Sequence, residues 1–183
     1  MTHDYEKNYS SHGSIFLDKD YNWDIPSSNL LIYGHNITTG AMFNELLKYN
    51  DEEYYKEHPT IRFTTNKEDA EYDIIAVSKS RVYYKSEQNV FRYYYFINAE
   101  NEEEYNEYVE NAKKASLYDT GKTAKYGDQL ITLSTCSYHT EDGRFAIVQE
   151  KREHRKIIFL LFLIFIKIID YNPTYWLSHK NII

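Results

Sequence analysis

Residues 129–136, QLITLSTC, form a strand-length run of Leu, Ile and Thr, preceded by the loop-type stretch DTGKTAKYGD and followed by the turn-type stretch SYHTEDG. A short β-branched run bracketed by Gly, Asp and Ser favours a strand, because a helix needs a longer segment with its apolar residues spaced at 3.6. The same signature recurs in SIFLD (14–18), NLLIYGHN (29–36), TIRFTTN (60–66), EYDIIAVSKSRVYY (71–84), VFRYYYFIN (90–98) and RFAIVQEK (144–151). The 71–84 run is long enough for one strand with a bend. A chain punctuated this way is expected to be mainly β with peripheral helices, an α+β fold. Twenty tyrosines among 183 residues fit that expectation, since a half-buried strand hides the ring and leaves the hydroxyl wet. With 42% apolar content the chain can build the core of one domain.

Helical periodicity is clearest in AENEEEYNEYVENAKKAS, 99–116. Tyr105, Tyr108, Val109 and Ala112 share a face, Asn101 with Glu104 reads as a capping box, and acids lead while Lys113 and Lys114 trail. In AMFNELLKY, Phe43, Leu46 and Leu47 share a face, and Thr39 is the expected cap. Residues 3–12 are read as a helical turn pairing Tyr5 with Tyr9, and DEEYYKEHP as solvated loop. From Ile157 to Ile166 the chain is continuously apolar, too short for a span of about 20 residues. Residues 153–183 are therefore read as an atypical hydrophobic tail behind a domain of residues 1–152, either a segment for contact with a membrane or other hydrophobic surface or an aberrant extension.

Cys136 is the only cysteine, so no internal disulfide can form. As a nucleophile, a thiol at neutral pH needs a nearby imidazole, and a thioester-forming reaction needs a cation near the developing oxyanion. Gly34 breaks the strand that carries His35, and Arg144 follows the turn EDG, so nucleophile, base and cation are expected at three strand ends. His139 is a rival base, disfavoured because a turn three residues away rarely aims its ring back at the sulfur. No HExxH, CxxC pair or Gly-rich phosphate loop is present, so no metal or other cofactor is expected. The acids of residues 100–110 are a solvated helix face, lacking the glycine turn of a Ca²⁺ loop. A net charge of −7 argues against nucleic acid as a partner.

YGHN with His35, TLSTC with Cys136 and GRF with Arg144, supported by SSHGSIFLD near the start, make the chain similar to class B sortases, the Gram-positive cysteine transpeptidases. The resemblance covers roughly residues 3–150. It implies a sortase-type β-barrel of eight strands, here six and incomplete at the N-terminus, because the anchor, helical stretch and two strands expected before SSHGSIFLD have no counterpart in the polar opening MTHDYEKNYSSHG. It implies that Cys136 attacks a C-terminal sorting signal of a surface protein, that His35 moves protons and that Arg144 holds the oxyanion. It further implies that Tyr33, Ser134 and Asn36 bind substrate and that the helix before the cysteine strand walls the groove. An amine of a peptidoglycan precursor or a pilin would resolve the acyl-enzyme, at the extracytoplasmic face of the membrane. Ser137 departs from the acid common in the class after the cysteine. Two other readings stay open from the residues: a hydrolase with the same pair, and a truncated remnant without activity.

Overall fold

The computed structural model describes residues 3–152 apart from 5, 23, 25 and 26. Both the hydrophobic tail and Tyr5 lie outside the described residues. The ordered elements are β1 (Phe16–Leu17), β2 (Asn29–Tyr33), a 3₁₀ helix (Asn44–Asn50), α1 (Glu52–Glu57), β3 (Thr60–Thr64) and β4 (Asp69–Arg81). A second 3₁₀ turn (Tyr93–Tyr95), α2 (Glu102–Lys114), β5 (Leu130–Cys136) and β6 (Gly143–Lys151) complete the series. The six strands form one mixed sheet in the order β1-β2-β5-β6-β4-β3. Only β2 and β5 run parallel, with Tyr33 opposite Ser134. The other pairings are antiparallel.

Both faces of this sheet are covered, which is why its central strands read as apolar runs instead of strict alternation. On one face Leu31, Leu130, Ala146, Val148 and Ala76 pack under Tyr93, Phe96, Ile97 and the Tyr105, Tyr108, Val109, Ala112 stripe of α2. The other face sets Ile32, Ile131, Leu133, Phe145, Ile147 and Val77 against Leu46, Tyr49 and Tyr55 of the first helices. Each large apolar side chain so buried contributes about 1.5–3 kcal/mol. The expected bend in β4 is a register shift between Ile74 and Ala76, which turns Ile75 and Ala76 to the same face. α2 begins as its sequence dictates: Asn101 Oδ1 accepts from Glu104 N at 3.0 Å. The Glu104 carboxylate instead accepts from Glu100 N, one residue beyond the usual capping-box partner.

Four local expectations are corrected. VFRYYYFIN is not a strand: it forms a 3₁₀ turn and extended coil that lays Tyr93, Phe96 and Ile97 on the sheet, with Phe96 stacked on Tyr108 at 3.9 Å between ring centroids. DEEYYKEHP is not loop but helix α1, because Asp51 accepts from Glu53 N and Tyr55 finds a buried place. Thr39 does not cap the next helix, whose 3₁₀ turns start at Asn44 without a side-chain cap. His3 and Tyr9 pair as an isolated bridge instead of entering a helix, and between them Asp4 Oδ1 accepts from the amides of both Glu6 and Asn8, bonds that compete with helix.

Candidate active site

β5 ends at Cys136, and its antiparallel partner β6 starts one residue before Arg144, so the register sets Cys136 directly opposite Arg144. Paired residues share a face, and i,i+2 neighbours do too. Thr132, Ser134, Cys136 and Arg144 therefore line the α2-bearing face, with Tyr33 alongside Ser134. Cys136 and Arg144 are both half-buried.

The hairpin that joins them depends on one glycine. Gly143 N donates to Thr140 O at 3.2 Å and Gly143 O accepts from Ser137 N at 3.0 Å. A Cβ there would sit deep inside the contact distance of Ser137 O. Arg144 Nη1 donates back to Gly143 O at 2.9 Å and to Asp142 O at 3.4 Å, which leaves the N–H groups of Nε and Nη2 for other acceptors. His139 lies exposed on the same turn, its Nδ1 2.8 Å from Ser137 Oγ.

His35 reaches the site from β2. Gly34 N donates to Ser134 O at 3.1 Å, and Asn36 Nδ2 donates to Cys136 O at 3.2 Å. These two bonds bracket His35, so its backbone runs beside the end of the cysteine strand although the β2 ladder stops at Tyr33. The three residues that the sequence singles out are thus carried on adjacent ends of β2, β5 and β6. His35 is half-buried, and its carbonyl accepts from Phe43 N at 2.9 Å.

The residues expected to bind substrate have firm partners of their own. Tyr33 donates to Asp18 Oδ2 at 2.9 Å, and burial followed by that carboxylate pushes its phenol well above the ordinary range, so it stays a donor at neutral pH. Ser134 is 1% exposed, with its hydroxyl 2.7 Å from that of Tyr93. Asn36 is 9% exposed and joins Cys136 O to Asn44. Ser134 and Asn36 therefore belong to the floor and frame of the site.

Tyr93 is a site residue that the sequence reading missed. Burial raises its phenol to about 12, partly offset by the Ser134 hydrogen bond and the Arg144 cation, while Tyr94 and Cys136 act the other way. Arg144 acts on Tyr33 in the same sense, so both phenols lie within reach of its cation. Nothing in the spacing of VFRYYYFIN signals which tyrosine turns inward. Among the described residues, no group of three His, Cys, Asp or Glu side chains is gathered to hold a metal ion. None of the described helices is long and apolar enough to cross a membrane.

A family model described as the sortase domain matches residues 2–152. Sortase B of Listeria monocytogenes is 32% identical over 151 residues, which is 80% of this chain and 57% of that protein. The chain thus spans little more than half the length of this curated relative. The solved structure of sortase B from Listeria monocytogenes superposes with a TM-score of 0.68 at 29% identity, covering 81% of this chain and 78% of that one. A crystal structure of a sortase B complexed with triglycine superposes at 0.70 with 22% identity, covering 84% and 69%.

Proposed function

The chain belongs to the sortase family, in its class B, and from that premise we propose that it is a cysteine transpeptidase of surface proteins. Cys136 attacks the carbonyl of a Thr or similar residue in a C-terminal sorting signal, forming a thioester and expelling the rest of the tail as an amine. His35 protonates that leaving amine and later deprotonates the incoming one. Arg144 donates to the oxyanion that forms on the substrate carbonyl. An amine then attacks the thioester, forms an amide and frees the thiol, so the acyl group ends on the amine with no net hydrolysis.

The observation that carries this reading is the pairing of Cys136 with Arg144 across β5 and β6, with the His35 segment tied to the same strand end by Asn36. The acceptor amine is of the peptidoglycan-precursor or pilin class. An oligoglycine serves as a probe, since a related sortase B has been solved with triglycine. The site of action would be the extracytoplasmic face of a Gram-positive membrane.

Intact-protein mass spectrometry tests this after incubation with class B-type sorting peptides, with and without triglycine or a diaminopimelate-type amine. The expected result is an acyl adduct absent from Cys136→Ala and discharged onto the amine. Arg144→Ala should slow acylation by about 100-fold or more. Release of free acid alone in the presence of amine would favour a hydrolase. No adduct from any peptide would reject the proposal for this chain.

A further inference from the structure

We propose that Asn44 and Asn36 form a positioning relay that sets the His35 segment against Cys136, with Asn44 acting through Asn36. This rests on the transpeptidase reading for what the Cys–His pair does, and on geometry for how the pair is held.

Every polarity in the relay is forced. Cys136 O can only accept, so Asn36 must turn its Nδ2 toward it, at 3.2 Å. Asn36 Oδ1 then faces the opposite way and must be met by a donor, which Asn44 Nδ2 supplies at 2.6 Å. Asn36 is buried, so losing either bond leaves a polar group unpaired in the interior.

The segment that carries Asn44 also holds the two residues before Asn36. The Phe43 ring packs where a Cβ on Gly34 would lie, 2.6 Å from Cγ, so only glycine lets the ring lie this close to the chain at position 34. Phe43 N donates to His35 O at 2.9 Å. Met42, at a φ of 58°, pairs with Asn36 as an isolated bridge. Phe43 therefore holds positions 34 and 35, and Met42 and Asn44 hold position 36, beyond the point where the β2–β5 ladder ends. The Asn36 amide is what links this assembly sideways to the nucleophile's own carbonyl. Since a displacement of about 1 Å between reacting groups can cost about 100-fold in rate, such a link bears directly on the chemistry.

Asn36→Ala, Asn44→Ala and the double variant are compared with the parent in two assays: peptide acylation, giving kcat and KM, and alkylation of the single thiol by iodoacetamide at pH 7. Each single variant should lower kcat by about 10-fold or more with KM within about twofold, and the double variant should be no slower than Asn36→Ala. Parental kcat in Asn44→Ala, a loss confined to KM, or multiplied losses in the double variant would overturn the relay. If Asn44→Ala loses its fold by circular dichroism, Asn44→Asp takes its place. It has the same size but offers an acceptor where Asn36 Oδ1 requires a donor, and parental kcat there overturns the relay equally. Alkylation needs no sorting peptide. A parent that takes up no peptide, with alkylation slowed about threefold or more in both variants, refutes the transpeptidase reading and keeps the relay. Acylation and alkylation at parental levels in every variant keep that reading and remove the relay.

Discussion

Gly143→Ala should damage stability and chemistry together, because the β5–β6 turn both closes the hairpin and aims Arg144 across from Cys136. An added Cβ would overlap Ser137 O and lie 3.0 Å from Thr140 O, both backbone atoms that cannot swing away as a side chain would. Relief requires the turn to open, breaking Ser137 N→Gly143 O at 3.0 Å and Gly143 N→Thr140 O at 3.2 Å. Two net hydrogen bonds at about 0.5–1.5 kcal/mol each give a loss of about 1–3 kcal/mol. For a domain of this size that corresponds to a fall in Tm of about 2–12 °C. Gly127→Ala is the control. With a φ of 97° and nothing within 4 Å of its Cβ, it carries backbone strain of about 1–2 kcal/mol but lies at the far end of β5 from the site. Urea denaturation measures both variants, and acylation by a sorting peptide is normalised to the folded fraction. Both should be destabilised, and only Gly143→Ala should acylate more slowly per folded molecule. Parental stability in Gly143→Ala, or parental acylation per folded molecule, would refute the argument that this glycine places Arg144.

Tyr93→Phe should cost about 1–3 kcal/mol in urea, since it leaves the buried Ser134 hydroxyl without its 2.7 Å partner; the added Ser134→Ala change should recover most of the loss. Gly34→Ala should lower stability and acylation by driving a Cβ into the Phe43 ring, and Phe43→Ala in the same chain should restore acylation in part; an additive loss in the double variant would argue against that contact as the cause. Asp73 bonds Arg152 at 2.7 Å and lies 3.6 Å from Lys122. Burial alone would raise its carboxyl, but the hydrogen bond and charge of Arg152, with Lys122, hold it below the ordinary value of 3.8. Its folded form thus binds its proton less tightly than the unfolded chain does. The stability it contributes is present above about pH 4 and is lost as pH falls through the lowered value, so Asp73→Asn should flatten the acid limb of a stability–pH curve.

Local sequence was enough to locate most of the sheet-forming runs, the buried stripe of α2 and its Asn101 cap, and the strand ends that carry His35, Cys136 and Arg144. Each is a short-range property: a period of two or 3.6, a cap within three residues, a glycine that ends a strand. The reading failed where the local signal was overruled. VFRYYYFIN has the aromatic content of a strand, yet its neighbours Phe96 and Ile97 both pack into the cluster that holds Tyr93 and Tyr108, which extended alternation would not permit. DEEYYKEHP looked like solvent-exposed loop because its one buried residue, Tyr55, is covered by groups brought from elsewhere in the chain, among them the Tyr118 ring and Thr120 O, which accepts from its hydroxyl at 2.9 Å. That Ser134 and Asn36 lie inward, that Tyr93 underlies the site and that Asn44 reaches Cys136 through Asn36 became visible only in three dimensions. Tyr93 and Ser134 are 41 positions apart, and Asn36 and Cys136 are 100 apart. No window of sequence contains both partners of either bond, and an amide or hydroxyl shows its direction only once the atoms that satisfy it have been brought beside it.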